Sequence, residues 1–599
     1  MSKFNFFISK TKEFYQKVDL IDGNIYMIFT ILFYYIFLER FWLFPKSVMA
    51  FGFTLSLNIL IYNLSFTFLK NKIGKVIRGI YLSIFSLLLI SASIGKVNWQ
   101  EIPRIKMLYK VVFQNFSTIS NYVTFPTAVS ILSLVIVIIL LSYKFASNEL
   151  FKLERKKIIL VSVFISIFCC SFINWRNNVS SNRSSRELFA EDPIIGAFID
   201  KKNYGINISN SYIRDQDGLA SWKLKDNSPD VVIINFDALR PDLFWQCIDE
   251  RRITPTFDSL LSLNTTYYSF FHTSSASSSF NGILSTLYGN NVEHLPINKI
   301  GIQQILRNYG YESNFILSGS HDHFMNLKEQ YGDNDNYFES TNIRRINDTI
   351  REDDDVALLN YLEYSHRSNS FKKQFYYFHV MAPHLGAYRD DAPLRNPINN
   401  SEKFNEIEKK YFIGLNKADV ILKELIQYFY KKRNRRVVLY ITADHGDGIG
   451  RHKYIPIVGH NQPLTYETIN TPLIIVDNEN IKSIRRKYTT QIDLLPTIVE
   501  RCFTKYEIPE HIFSGKSMYG DSLINRYTYH SSYVTKYQDF NFAIIKDSLG
   551  TPTEKYLYIP KDRKEFIFNL RIDKNENDTI NQLSKFIFYR KLKSNFLKY

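Results

Sequence analysis

Val437-Val-Leu-Tyr-Ile-Thr-Ala-Asp444-His445-Gly446 is a short, unbroken apolar run that ends in Asp-His-Gly. Continuous β-branched and apolar residues of this length are what a strand buried on both faces requires. Asp230-Val-Val-Ile-Ile-Asn-Phe-Asp237 repeats the pattern and also ends in an acid. Further strand candidates are Phe375-Tyr-Tyr-Phe-His-Val-Met-Ala-Pro-His384 and Pro472-Leu-Ile-Ile-Val476, with helical patterns between them, as at 302–308 and 416–428. Strands alternating with helices predict a mostly parallel sheet covered on both faces. In such sheets the functional site lies beyond the carboxyl ends of the strands, where Asp237, Asp444 and His445 converge. Two carboxylates and an imidazole on strand ends suit one divalent cation, of the zinc or manganese kind rather than calcium or magnesium.

The first 175 residues read differently. Apolar stretches at 24–44, 48–69, 76–95, 124–143 and 158–175 each approach the roughly 20 residues that span a bilayer as helix. Lys3, Lys10, Lys12 and Lys17 precede the first stretch, Lys70, Lys72, Lys75 and Arg78 separate the second from the third, and Lys152, Arg155, Lys156 and Lys157 lead into the fifth. By the positive-inside rule the N-terminus is cytoplasmic, and everything after the fifth span lies outside the cytoplasmic membrane. The segment 96–121 mixes Trp99, Ile102, Ile105, Leu108 and Tyr109 with basic residues, which predicts a helix lying at the outer surface. The expected organisation is a cytoplasmic N-terminus (1–23), five transmembrane helices (24–175), a polar linker (176–227), an α/β core (228–500) and a C-terminal subdomain (501–599).

The whole chain has 599 residues and a formal charge of +16. No zinc-finger, RNA-recognition or basic-zipper pattern accompanies that charge, so membrane lipid headgroups, not nucleic acid, are the expected partner. Cys169 and Cys170 lie in an apolar stretch and only Cys247 and Cys502 remain elsewhere, which implies no disulfide framework.

A further segment, Thr273-Ser-Ser-Ala-Ser-Ser-Ser-Phe-Asn-Gly-Ile-Leu-Ser-Thr-Leu-Tyr-Gly289, sets hydroxyls at the start of an apolar helix, as a nucleophile would be placed. The ordered set of Phe236-Asp-Ala-Leu-Arg-Pro-Asp242, Thr254-Pro-Thr-Phe-Asp-Ser-Leu260, this serine segment, His379-Val-Met-Ala-Pro-His384, Asp444-His-Gly-Asp-Gly-Ile-Gly450, Gly459-His460 and Gln491-Ile-Asp-Leu-Leu-Pro-Thr497 resembles the sulfatase-like branch of the alkaline phosphatase superfamily. The segment from Lys555-Tyr-Leu-Tyr558 to Leu570 resembles that family's small closing subdomain. Preceded by five spans, the set looks like the lipoteichoic acid synthases, the phosphoethanolamine transferases and the YejM/PbgA-like inner-membrane proteins.

The resemblance implies that Asp237, Asp444 and His445 hold the metal. It gives His384 and His460 catalytic and substrate-binding roles, with Arg240 and His452 also on the substrate. It further implies a transferase or hydrolase of phospho-alcohol (lipid headgroup) esters, with a glycan or lipid of the cell envelope as acceptor. The alternatives are a sulfuric ester hydrolase of the same fold and a non-catalytic, lipid-binding sensor or scaffold. In the family register Ala276 falls on the nucleophile position, so Ser277, then Ser275, are the candidate nucleophiles, and Ser279 falls on a serine with a structural role. No Cys and no Pro occur in the segment, Phe280 stands where an Arg is needed, and Ala238 replaces a second acid. These departures argue against a formylglycine sulfatase and for a one-metal site.

Overall fold

The computed structural model describes most of residues 222–597 and, before them, residues 26–32, 54–64, 72–99 and parts of 133–167. The chain divides into two units, Met1–Lys201 and Lys202–Tyr599. In the first, helix α1 (Lys72–Trp99) contains Ile73–Ser93, the one described helix long and apolar enough to cross a membrane. A shorter apolar helix covers Thr54–Leu64. Leu82, Phe85 and Leu89 of α1 are buried, whereas Ile73, Ile77, Ile80 and Ile84 form an outward stripe at helical spacing. Two polar pairs join the helices: Tyr26 Oη with Ser86 Oγ at 2.7 Å, and Tyr81 Oη donating to Asn58 Oδ1 at 2.6 Å. The expected span at 76–95 lies within α1. Those at 24–44, 48–69, 124–143 and 158–175 are described only in part, and the linker 176–221 and nearly all of the expected surface helix at 96–121 lie outside the described residues.

The second unit is built on an eight-stranded sheet. Its strands are β1 (Asp230–Phe236), β2 (Tyr267–Ser269), β3 (Glu312–Leu317), β4 (Asn336–Glu339), β5 (Gln374–Val380), β6 (Val437–Ala443), β7 (Leu473–Asp477) and β8 (Arg485–Arg486). They lie in the order β8-β2-β7-β6-β1-β5-β3-β4. The run from β6 to β4 is parallel throughout, and β7 turns antiparallel to β6. Every residue of β1, β5 and β6 is buried, which is why their sequences carry no polar alternation.

Helices cover both faces. Phe236 and the even-numbered apolar residues of β1, Val232 and Ile234, pack on α2 (Pro255–Ser262) and the long helix α5. Val231 and Ile233 face α3 (Ser279–Tyr288), α4 (Ile302–Asn308) and α6 (Leu494–Cys502) on the other side. Helix α5 itself runs Glu406–Lys432. An antiparallel meander follows, β9 (Tyr527–Ser531), β10 (Phe542–Ser548), β11 (Thr551–Ile559) and β12 (Lys564–Asn569), closed by α7 (Leu583–Phe596). One face of this sheet packs on α7, with Tyr556 and Tyr589 stacked at 5.4 Å; the other presents Ala543, Ile545 and Leu557 to Phe271, Leu464 and Tyr488 of the core.

Candidate active site

Strand register assembles the site. Asn235 of β1 lies opposite Thr442 of β6 and His379 of β5. Side chains two residues apart share a face of a sheet, so Asp237 and Asp444, one residue beyond their strands, project on the same side as His379. That side is the one covered by α3. Immediately after Asp237 the chain turns through Ala238 at φ 65°, a left-handed conformation that costs a non-glycine residue about 1 kcal/mol. The turn aims the Ala238 N–H at Asp444 Oδ1 (3.1 Å), which also accepts the His445 N–H at 2.8 Å.

Asp444 Oδ2 faces His379 Nε2 at 3.5 Å and His445 Nε2 at 3.7 Å, and His445 Nε2 stands 3.6 Å from Asp237 Oδ1. Ligand atoms of Asp237, His379 and Asp444 all lie within 4.8 Å of one another. Two carboxylates that close repel by about 3–4 kcal/mol at an effective dielectric near 20. The imidazole of His445 is oriented for a cation: its Nδ1 donates to Gly446 O at 2.8 Å, which leaves the Nε2 lone pair directed at the two acids. Burial pushes the His445 pKa below its ordinary value despite Asp444. Burial opposes ionisation of Asp444, yet His445, His379 and the Ala238 N–H hold it below the carboxylate range. An imidazole and two carboxyl groups within ligand reach are a donor set that fits one divalent cation.

The serine segment is pinned beside this cluster. A Cβ on Gly282 would stand 2.1 Å from Asp444 O, so only glycine lets α3 approach the β6 end this closely. Ser279, the first residue of α3, places its Oγ 3.0 Å from His445 Nε2 and donates to that lone pair. Ser277 is fully buried in the turn before the helix, beside buried Ala276. Ser275 N donates to Gln491 Oε1 (3.1 Å), and Gln491 Nε2 donates to Ala443 O and Asp444 O (2.9 and 3.2 Å). From the meander, His530 Nδ1 donates to Ser274 O (2.7 Å) and Ser531 N to Ser275 O (3.0 Å).

A histidine pair completes the site. The rings of His384 and His460 lie 5.0 Å apart, and His460 lies 4.4 Å from His445. The ribbon pairing Gly448 with Gly459 explains one contact: the residues flanking that pair are Asp447 and His460, and Asp447 Oδ1 meets His460 Nδ1 at 3.2 Å. Burial lowers the His460 pKa, but the hydrogen bond and charge of Asp447 outweigh it and the net shift is upward.

Two residues expected on the substrate have other partners. Arg240 is fully buried; its Nη1 donates to Glu467 Oε1 (2.8 Å) and Asp447 O (2.8 Å), and its other nitrogens to Asp242. His452 is buried against Glu576 at 2.9 Å. The His452 ring has no donor left for a ligand, and four of the five Arg240 N–H groups are taken by Glu467, Asp447 O and Asp242. His379, Asp447 and Gln491 were given no site role from sequence, and Ser279 only a structural one. His379 had a readable signal, a polar residue inside an apolar strand on the parity of the terminal acid; for Ser279 and Gln491 the contacts are tertiary and leave no local pattern.

A family model described as Sulfatase matches residues 229–502. No curated protein matches the chain. Similar solved structures include the C-terminal periplasmic domain of EptC from Escherichia coli, at 14% identity over 52% of this chain and 92% of that one, TM-score 0.41. They also include a phosphonate monoester hydrolase from Silicibacter pomeroyi (14%, 62% and 94%, TM-score 0.46) and the lipoteichoic acid synthase LtaP from Listeria monocytogenes (16%, 64% and 95%, TM-score 0.45). The region that the Sulfatase model matches, 229–502, folds as an α/β domain with a mostly parallel central sheet and acids at its strand ends.

Proposed function

We propose that the protein is a membrane-anchored, metal-dependent enzyme that transfers or hydrolyses phospho-alcohol esters of lipid headgroups, its α/β domain outside the cytoplasmic membrane. The observation that carries this is the convergence of Asp237, Asp444, His379 and His445 beside Ser279. Anchoring is supported by the outward isoleucine stripe of α1, which water would penalise and lipid tails would not, and by the apolar stretches around it.

Asp237, Asp444 and His445 would hold the cation, with His379 at hand as a further nitrogen. When bound, it would neutralise the acids, acidify a neighbouring hydroxyl and polarise the phosphoryl group. Ser279 is the first candidate nucleophile, ahead of Ser277 and Ser275, because its oxygen already lies against the cluster. With its proton released to solvent once the hydroxyl is acidified, Ser279 Oγ forms the new P–O bond as the bond to the leaving alkoxide breaks. His460, hydrogen-bonded to Asp447 Oδ1, is placed to give the leaving oxygen a proton. An acceptor alcohol or water then returns a proton to His460 and displaces the serine, which closes the cycle. His384, ring to ring with His460, is placed to bind the phosphoryl oxygens or the acceptor.

The test is metal analysis of the full chain in detergent, with turnover of bis(4-nitrophenyl) phosphate and 4-nitrophenyl sulfate. Ser279→Ala, Ser277→Ala and Ser275→Ala are assayed separately. Bound metal, diester turnover and its loss in one serine variant are expected. Sulfate turnover alone would favour the sulfuric ester reading, and neither metal nor turnover would leave the non-catalytic, lipid-binding one.

A further inference from the structure

We propose that Glu576 and Lys555 of the C-terminal meander position His460, through a buried chain that runs Glu576–His452–Glu467–Arg240–Asp447. The proposal rests on His460 being a member of the active site. Lys555, on β11, is 1% exposed, as is Glu576, and His452 is 2% exposed. Lys555 Nζ donates to Glu576 Oε1 at 2.5 Å. His452 Nδ1 accepts the N–H groups of Tyr454 and Ile455, both at 3.2 Å, so its proton sits on Nε2 and is donated to Glu576 Oε2 at 2.9 Å. The His452 N–H donates to Glu467 Oε2 at 3.2 Å, and Glu467 Oε1 takes Arg240 Nη1 at 2.8 Å. The same nitrogen reaches Asp447 O, and Asp447 holds His460.

The chain is balanced: the cations Lys555 and Arg240 face the anions Glu576 and Glu467, with Asp242 at its partly exposed margin. Apolar side chains of the same volume would hold the subdomain at least as firmly, whereas hydrogen-bonded charges admit one geometry. The coupling to the site loop is also steric. A Cβ on Gly446 would meet Glu467 O at 2.3 Å, and the Gly446 N–H donates to Thr468 O at 2.8 Å, so the segment carrying Asp444, His445 and Asp447 packs directly on the Glu467 backbone. These are positioning residues, since none of Lys555, Glu576 or His452 reaches the cluster itself.

The test is hydrogen exchange by mass spectrometry on the full chain in detergent, for Glu576→Ala, Glu576→Gln and the double variant Lys555→Met/Glu576→Gln. Glu576→Ala should exchange about tenfold faster in peptides covering 444–450 and 458–460, with 230–236 and 279–288 unchanged. The double variant removes both buried charges yet keeps an amide oxygen for His452, and should exchange there as wild type does. If Glu576→Ala unfolds, the double variant decides alone. Faster exchange confined to 552–580, or a double variant as loose at 444–450 as Glu576→Ala, overturns the proposal. In a wild type that turns over bis(4-nitrophenyl) phosphate, Glu576→Ala should lower kcat about tenfold with KM unchanged. A wild type without turnover counts against the proposed function only, and leaves positioning to the exchange result.

Discussion

Two buried polar clusters lie side by side in this molecule and solve the problem of charge in opposite ways. In the chain from Lys555 to Arg240, each buried carboxylate has a protein cation within 2.8 Å. In the cluster of Asp237, Asp444, His379 and His445, the acids face imidazole nitrogens at 3.5–3.7 Å. Burial is nearly complete in both. Equal burial with different facing groups, ammonium and guanidinium in one and imidazoles in the other, separates a cluster that fixes geometry from one suited to receive a cation.

The contrast breaks most severely at Asp444. Asp444→Ala should abolish metal binding, read by elemental analysis, and lower diester turnover on the order of 10³-fold or more. Glu467→Ala takes one of its two carboxylate partners from the buried Arg240 guanidinium, leaving Asp242, and should cost about 1–3 kcal/mol in denaturant unfolding, whether or not metal is present. Asp237→Asn should do the reverse in metal-free protein. By removing like-charge repulsion it should raise stability by about 1–3 kcal/mol while losing the stabilisation that added zinc gives wild type. Gly282→Ala drives a methyl group into the Asp444 carbonyl. A loss of about 1–3 kcal/mol is expected, with turnover falling further than stability because α3 backs away from the cluster.

The smallest effect sharpens the compensated case through pH. Asp493 is buried and clasped by Arg526, which reaches both of its oxygens. Burial alone would raise its pKa, but Arg526 and the N–H donors around it bring it below the ordinary value of 3.8. A carboxylate depressed in the folded state stabilises fully above its unfolded pKa, and that stability is lost as pH falls through the folded one. Wild type should therefore lose stability below about pH 4, and Asp493→Asn, already weakened at neutral pH, should lose less over the same range. Parallel acid melts of the two proteins check this.

Much of the fold was legible because burial on both faces leaves a local trace. The runs ending at Asp237 and Asp444 contain no polar alternation, and they are the central strands β1 and β6. Their terminal acids were visible for the same reason. Ser279 was read as a structural serine because register counting places residues along the chain, whereas the contact of Ser279 Oγ with His445 depends on how closely α3 approaches β6. Arg240 and His452 were given to the substrate by the family resemblance, which matches positions along the chain and not contacts. Their carboxylate partners, Glu467 and Glu576, lie 227 and 124 residues away and could not be guessed from spacing.

The sequence by itself determined the alternation of strands and helices, the acids at the strand ends and the apolar character of the first 175 residues, all properties of hydrophobic order along the chain. Only the tertiary structure decided which polar residues share a charge. His379 joins the cluster because parallel pairing sets it opposite Asn235, and Ser279 because Gly282 leaves no side chain between α3 and Asp444. Glu576 faces His452 because the C-terminal subdomain folds back on the core. Electrostatic compensation depends on distances of a few ångströms between segments hundreds of residues apart, and no local pattern records it.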